Sequence, residues 1–348
     1  YDGLDPARRW QFVSTLGNTN FYSAYLAALL PVMLGFFCFA ETRLWRLVFG
    51  AGLLAGFVGM LPAGSESFML GLLLALWLLP PLLLAHPQAL RRYFAALLLL
   101  ALALAFMKLL LYCFAATQLV SFFLRLMLHP AVIAALAAIG AAGYLALSRR
   151  RAPLRGQRAY WLLSLALLLL LLILLALRNT VFQPLSLGRL DRFIRFDGNW
   201  GTDRGRIWRY CLELYEAFPP LQKLFGGGPG CLLAYDMQHP LFPDALLDTA
   251  HNEYLQLLLV SGAAGLAGYL GWLSGAAAAA LRPAGRSPLA LCLTAGALAY
   301  AAQAVVSIAQ PAATPLAFLL FSMAAGCAAG APAEDAPLAG RNQPESAL

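Results

Sequence analysis

YWLLSLALLLLLLILLAL, residues 160–177, runs for 18 residues without a charge. That is close to the ~20 apolar residues with which a helix crosses a bilayer, whereas a membrane barrel strand would alternate over about ten. Outward from this run, similar stretches occupy residues 21–40, 44–60, 68–85, 93–116, 130–147, 253–276, 288–309 and 312–330. Composition agrees: 61% of residues are hydrophobic and 11% charged, with a mean hydropathy of +0.72. Soluble globular chains are about 45–50% apolar and about 25% charged. The pattern predicts an all-α, polytopic helical membrane protein with about nine transmembrane helices. The formal charge of +8 does not imply a nucleic-acid partner, because the basic residues sit mostly in loops, where membrane topology accounts for them.

Those loops predict the orientation. One alternating set holds Arg43, Arg46, Arg91, Arg92, Arg149, Arg150, Arg151, Arg155, Arg158, Arg282 and Arg286, eleven in all. The other short loops and the N-terminal arm hold three, Arg8, Arg9 and Arg125. Eleven against three puts the first set in the cytoplasm. Residues 1–178 then read as a six-helix bundle, 179–250 as an extracytoplasmic loop, 251–330 as three C-terminal helices and 331–348 as a disordered cytoplasmic tail. The chain starts YDGLDPARRW, without an initiator Met or a signal peptide. Since its first apolar run would enter the membrane from outside, earlier membrane segments are expected to precede it.

The polar stretch between residues 179 and 262 carries the chemistry. From Arg178 to Arg209 it has seven arginines against three aspartates; from Tyr210 to Ala250 it has Lys223 against five acids. Within GTDRGRIWRYCLELYEAF (201–218), Ile207, Cys211, Leu214, Tyr215 and Phe218 fall at helical spacing, and Pro219-Pro220 stops the pattern. The expectation is an amphipathic helix over 203–218 lying on the membrane with its apolar face down. Arg206 and Arg209, one turn apart, can reach one anion together, and with Arg204 they can hold a diphosphate through guanidinium forks. The alternative is snorkelling to lipid phosphates.

His251-Asn252 open the next apolar run. Asp248 or Thr249 is the expected cap, with His251 in the first turn. There the helix dipole favours bound anions and a neutral imidazole, fit to act as a base or hydrogen-bond partner. The alternative is an interfacial histidine. GGGPG (226–230) lacks the phosphate-loop pattern and reads as a tight turn. No metal or cofactor is implied, as the four histidines share no ligand spacing. Cys211 and Cys231 could pair as a disulfide. Asn18 and Asn20 open the first segment, Ser65-Glu66-Ser67 the third, and Gln303, Ser307 and Gln310 make a polar stripe in the eighth. Lys108, inside the fourth segment, calls for a partner such as Glu66 or for snorkelling.

The order R-x-W (Arg206/Trp208), G-x-G-P-G (226–230) and H-N-x-Y-L-x-x-L-x-x-x-G-x-x-G (251–265) resembles the O-antigen ligase and O-antigen polymerase (Wzy-type) family. FVSTLGNTNFYSAYLAALLP (12–31) resembles its G-N-x-N segment, and AGSES (63–67) and AYAAQAVVSIAQPAATPLAFLL (299–320) fit the same pattern. The resemblance implies a metal-independent glycosyltransferase of the cell envelope. Such enzymes move a glycan from an undecaprenyl-diphosphate carrier to a glycan or lipid acceptor at the outer face of the cytoplasmic (inner) membrane. By resemblance, Arg206 and His251 are catalytic, while Arg204, Arg209, Asn252, Asn18 and Asn20 bind lipid diphosphate or acceptor. A multi-helix transporter remains the alternative, although neither internal repeats nor interrupted helices point to one.

Overall fold

The structure is a computed structural model and describes residues 16, 19–63, 66–113, 122–282 and 287–329. It is helical throughout: α1 (Thr19–Phe39), α2 (Arg43–Ala63), α3 (Glu66–Leu83), α4 (Pro87–Cys113), α5 (Phe122–Met127), α6 (Pro130–Ala146), α7 (Gln157–Thr180), α8 (Asp191–Ile194), α9 (Trp200–Ala217), α10 (Pro220–Phe225), α11 (Cys231–Asp236), α12 (Glu253–Leu281), α13 (Pro288–Ala304) and α14 (Thr314–Ala329). Among the described residues, the nearest approach to a strand is an isolated bridge between Phe242 and Ala245.

Each of the nine apolar runs falls on a helix, but the helices are of two kinds. Among the described residues, five are long and apolar enough to cross a membrane: Asn20–Phe39, Arg43–Met60, Pro87–Cys113, Gln157–Thr180 and Glu253–Leu281. Ser67–Leu83, Pro130–Ala146, Pro288–Ala304 and Thr314–Cys327 are shorter. The predicted ends at 309 and 312 miss because α13 stops at Ala304 and the chain turns before α14.

Helix α13 sits at the centre, packed on α1, α3, α12 and α14; α1 also packs on α2, α3 and α4, and α4 on α6. Small residues bring these helices close, as membrane helices require. A Cβ at Gly71 would lie 2.7 Å from the Ala299 carbonyl oxygen and 3.4 Å from the Ala27 methyl, and one at Gly296 would lie 2.4 Å from the Ala28 carbonyl oxygen. By contrast, α7 packs on α3 and α8 and leaves Leu162, Leu163, Leu165 and Leu167–Leu172 exposed. A helix apolar all round and uncovered is suited to lipid acyl chains.

The segment between α7 and α12 has its own small core. Ile207, Tyr210, Cys211, Leu214 and Phe218 of α9 pack with Leu232, Leu247, Ala250 and Leu259. This corrects the expectation that the apolar face of α9 lies on the membrane: the chain's own residues cover it. Its regular right-handed turns begin after Asp203, close to the predicted start, because Gly201, Thr202 and Asp203 have left-handed backbone. Arg178, at the end of α7, is buried and ion-paired to Asp191, while the Asn179 carboxamide bridges Leu175, Ile194 and Phe196. These contacts tie the arginine-rich stretch to α7.

Candidate functional site around His251

Helix α12 is built in two parts. At Gly262 the backbone turns to φ 69°, ψ −171°, which takes the carbonyls of Leu259 and Val260 out of the helical ladder. The glycine turn satisfies them: Gly227 N–H donates to Leu259 O at 2.8 Å and Gly228 N–H to Val260 O at 3.1 Å. Gly226, Gly228 and Gly230 all have positive φ, as the tight-turn reading of GGGPG expects. Only glycine fits at the docking point. A Cβ on Gly226 would lie 2.2 Å from Val260 O, and one on Gly262 would lie 2.3 Å from Leu224 O. Residues 263–281 continue for about 28 Å at 1.5 Å per residue, close to the apolar thickness of a bilayer.

The N-terminal part of α12 carries His251 at its mouth. The cap is Asn252, whose Oδ1 accepts from Leu255 N–H at 3.0 Å; Asp248 and Thr249 do not cap it. His251 therefore stands just before the helix rather than in its first turn, with φ 49°, a left-handed conformation costing on the order of 1–3 kcal/mol. Its neighbour explains how that conformation is held. Ala250 N–H donates to Gln256 Oε1 at 2.9 Å, and Ala250 O accepts from Trp208 Nε1 at 3.0 Å. Asp236, buried, holds the preceding loop by accepting from Leu241 N–H and Leu247 N–H, each at 2.9 Å. Burial works to raise the Asp236 carboxyl, but those two amides and Tyr210 outweigh it and hold the group below the usual range.

The same indole that fixes Ala250 belongs to the arginine helix. Across this junction, His251 is pushed below the ordinary histidine value, first by burial and then by the Arg204 guanidinium, with Asp248 acting the other way. The Arg204 charge thus acts on the His251 imidazole. Arg204 is half-buried and donates to Gly201 O and, at 3.3 Å, to Thr202 Oγ1. Arg206 is exposed; its Nη2 donates to Asn199 Oδ1 at 3.2 Å and lies 3.6 Å from Asp203 Oδ1, with its guanidinium 5.6 Å from the Phe242 ring centroid. Arg209 is exposed one turn on. The arrangement offers a neutral imidazole and several guanidinium groups to a ligand that is partly anionic and partly hydroxylic.

Other sequence expectations fare variously. Asn20 lies half-buried in the first turn of α1, whereas Asn18 lies outside the described residues. Cys211 and Cys231 belong to one small core but are free thiols, and burial pushes the Cys211 thiol up to about 12. Lys108 donates to Leu128 O at 3.1 Å, closing the end of α5; the Glu66 side chain is outside the described set. Gln303, Ser307 and Gln310 are all buried but are not one helical stripe, since α13 ends at Ala304. Among the described residues, no group of three or more His, Cys, Asp or Glu is placed to hold a metal ion.

Three residues near His251 escaped the sequence reading in whole or part. Glu253 is buried and accepts from Tyr269 OH at 3.0 Å and Tyr300 OH at 2.8 Å, and Tyr300 OH meets Thr314 Oγ1 at 2.5 Å. It ties the mouth of α12 to α13 and α14. An acid opening a membrane run is the signal that could have found it. Gln256 and the Trp208 indole gave no comparable sign, because their partner is a backbone group.

No curated protein and no solved structure matches the chain. The family model described as O-antigen ligase matches residues 115–270, from the end of the fourth apolar run through α9, the glycine turn and His251 to the second part of α12. This stretch, which contains the three motifs that carried the resemblance, is similar to the O-antigen ligase family.

Proposed function

We propose that the protein is a membrane glycosyltransferase of the O-antigen ligase or polymerase type. It transfers a glycan from an undecaprenyl-diphosphate carrier to a glycan or lipid acceptor at the outer face of the cytoplasmic membrane. The observation that supports this best is the hydrogen bond from the Trp208 indole of the arginine helix to the carbonyl preceding His251, beside an imidazole that burial and then the Arg204 charge push below its ordinary value.

In this reading an acceptor hydroxyl attacks the anomeric carbon of the donor sugar. The bond from that carbon to the diphosphate oxygen breaks, and the electron pair leaves with the diphosphate. Arg204, Arg206 and Arg209 stabilise the charge that develops there, and Arg206 must turn from Asn199 and Asp203 to do so. His251 takes the acceptor proton through its neutral ring. Asn252 holds the helix end and leaves its amide N–H groups toward the acceptor. The outer-face assignment follows from the eleven-to-three arginine count.

The test is transfer by purified protein supplied with an undecaprenyl-diphosphate-linked glycan and an acceptor, with the product identified by mass. Transfer should persist with a chelator present. His251→Ala should lower the rate by about 10²–10⁴ while the protein stays folded. Undiminished transfer by that variant would refute the base role.

A further inference from the structure

A polar layer lies inside the bundle, away from the arginines. Ala27, Gly71 and Ala299 meet where α1, α3 and α13 touch. One turn on from each, toward the end of the bundle that carries the mouth of α12, stand Ser23, Ser67 and Gln303. They are 1%, 7% and 0% exposed. Both polar atoms of the Gln303 carboxamide and the hydroxyl of Ser23 are buried with no hydrogen-bond partner. A carboxamide can donate two hydrogen bonds and accept two, and a buried polar group without partners is costly and rare. A core helix with Leu at position 303 would avoid that cost. The layer is also close to the site above: on α13, Tyr300 binds Glu253 at 2.8 Å and Ala301 O accepts from Tyr254 OH at 2.7 Å.

We propose that Gln303 and Ser23 form a carbohydrate subsite that binds hydroxyl groups of the substrate glycan. The choice of guest follows from the groups present. A neutral amide and a hydroxyl, both able to donate and accept, match neutral hydroxyls; they are poorly suited to a diphosphate, which the arginines of α9 suit better. Ser23 lies one turn inside the start of α1 and Ser67 is the second residue of α3, so those helix ends are the nearest way in for a guest. This inference rests on the glycosyltransferase reading for the identity of the sugar, but its test is binding, not transfer.

The experiment uses the full chain in lipid nanodiscs and three probes: undecaprenyl-diphosphate-linked oligosaccharide, undecaprenyl diphosphate without sugar, and free acceptor oligosaccharide. Gln303→Leu should weaken binding of at least one sugar-bearing probe about tenfold and leave the sugar-free lipid unchanged. Loss with the lipid-linked probe assigns the layer to the donor sugar; loss with the free oligosaccharide assigns it to the acceptor. Ser23→Ala should give a smaller loss of the same kind. In the absence of sugar, Gln303→Leu should hold or raise the thermal midpoint, because an unsatisfied amide has been replaced by an apolar group of similar size. Sugar binding equal to the parent's, or equal loss for all three probes, overturns the proposal. A lower midpoint with binding intact also overturns it and identifies ordered water as the guest. Gln303-dependent sugar binding by a protein that transfers nothing would sink the transferase reading and leave the subsite standing.

Discussion

His251 combines two unusual properties, a left-handed backbone and an imidazole held below its ordinary pKa. The second gives a pH prediction with a definite sign. A histidine normally titrates near 6.5; with its value lowered, the base form survives further into acid, and the acid limb of kcat/KM should fall below that pH. Arg204 lowers the value and Asp248 raises it. Arg204→Gln should therefore move the limb to higher pH, and Asp248→Asn to lower pH. An NMR titration of the imidazole serves where turnover is slow, and shifts of the same sign in both variants would contradict this account. The stability linkage has the same origin. The unfolded chain takes up the proton from about pH 6.5 downward while the folded chain resists it, so stability falls as pH drops through that window. Arg206 gives a second test at this scale. If it binds a diphosphate through a two-pronged fork, Arg206→Lys should lose most activity despite keeping its charge, whereas near-normal transfer would point to a diffuse attraction.

At the level of elements, the junction between the glycine turn and the kink in α12 governs where His251 sits. The turn supplies amides to carbonyls that the kink has freed, so neither element is satisfied without the other. Alanine at Gly226 or Gly262 meets backbone oxygen at 2.2 or 2.3 Å, and each forces a side chain onto positive φ at a cost of about 1–3 kcal/mol before the clash is counted. Both variants should lower the thermal midpoint in detergent. Because they break one shared contact, the double variant should cost little more than the worse single one. Full additivity, read from denaturation midpoints, would mean the two glycines act independently. Trp208 works at the same junction from the side of α9, since its indole reaches the carbonyl preceding His251.

The whole molecule divides into a close-packed bundle around α13, a lipid-suited α7, and a small core under α9 that bears the arginines. If residues 179–250 face outward, a cysteine introduced at the exposed Gln238 should react with an impermeant reagent in intact cells. One at the exposed Arg151 should react only after permeabilisation. Both belong in a background from which the exposed Cys113 has been removed. The reverse labelling pattern would take away the ground for an outer-face site.

The sequence by itself determined that the chain is helical, that several helices suit a membrane, and which short motifs bear on function. Hydropathy is a property of consecutive residues, so runs such as 160–177 declare themselves without any fold. His251, Arg204 and Arg206 were legible as candidates for a similar reason, because the order of R-x-W, G-x-G-P-G and H-N-x-Y-L is linear. Only the tertiary structure decided which groups meet. It gave the cap of α12 to Asn252 because the backbone enters at positive φ through His251. It covered the apolar face of α9 with Leu232, Leu247 and Leu259 rather than lipid, and brought the Arg204 charge to bear on a histidine far along the chain. Glu253 against Tyr300 and Gly226 against Val260 are of the same kind. Such contacts join residues distant in sequence, often through backbone atoms, and so leave no periodic or compositional trace in the chain.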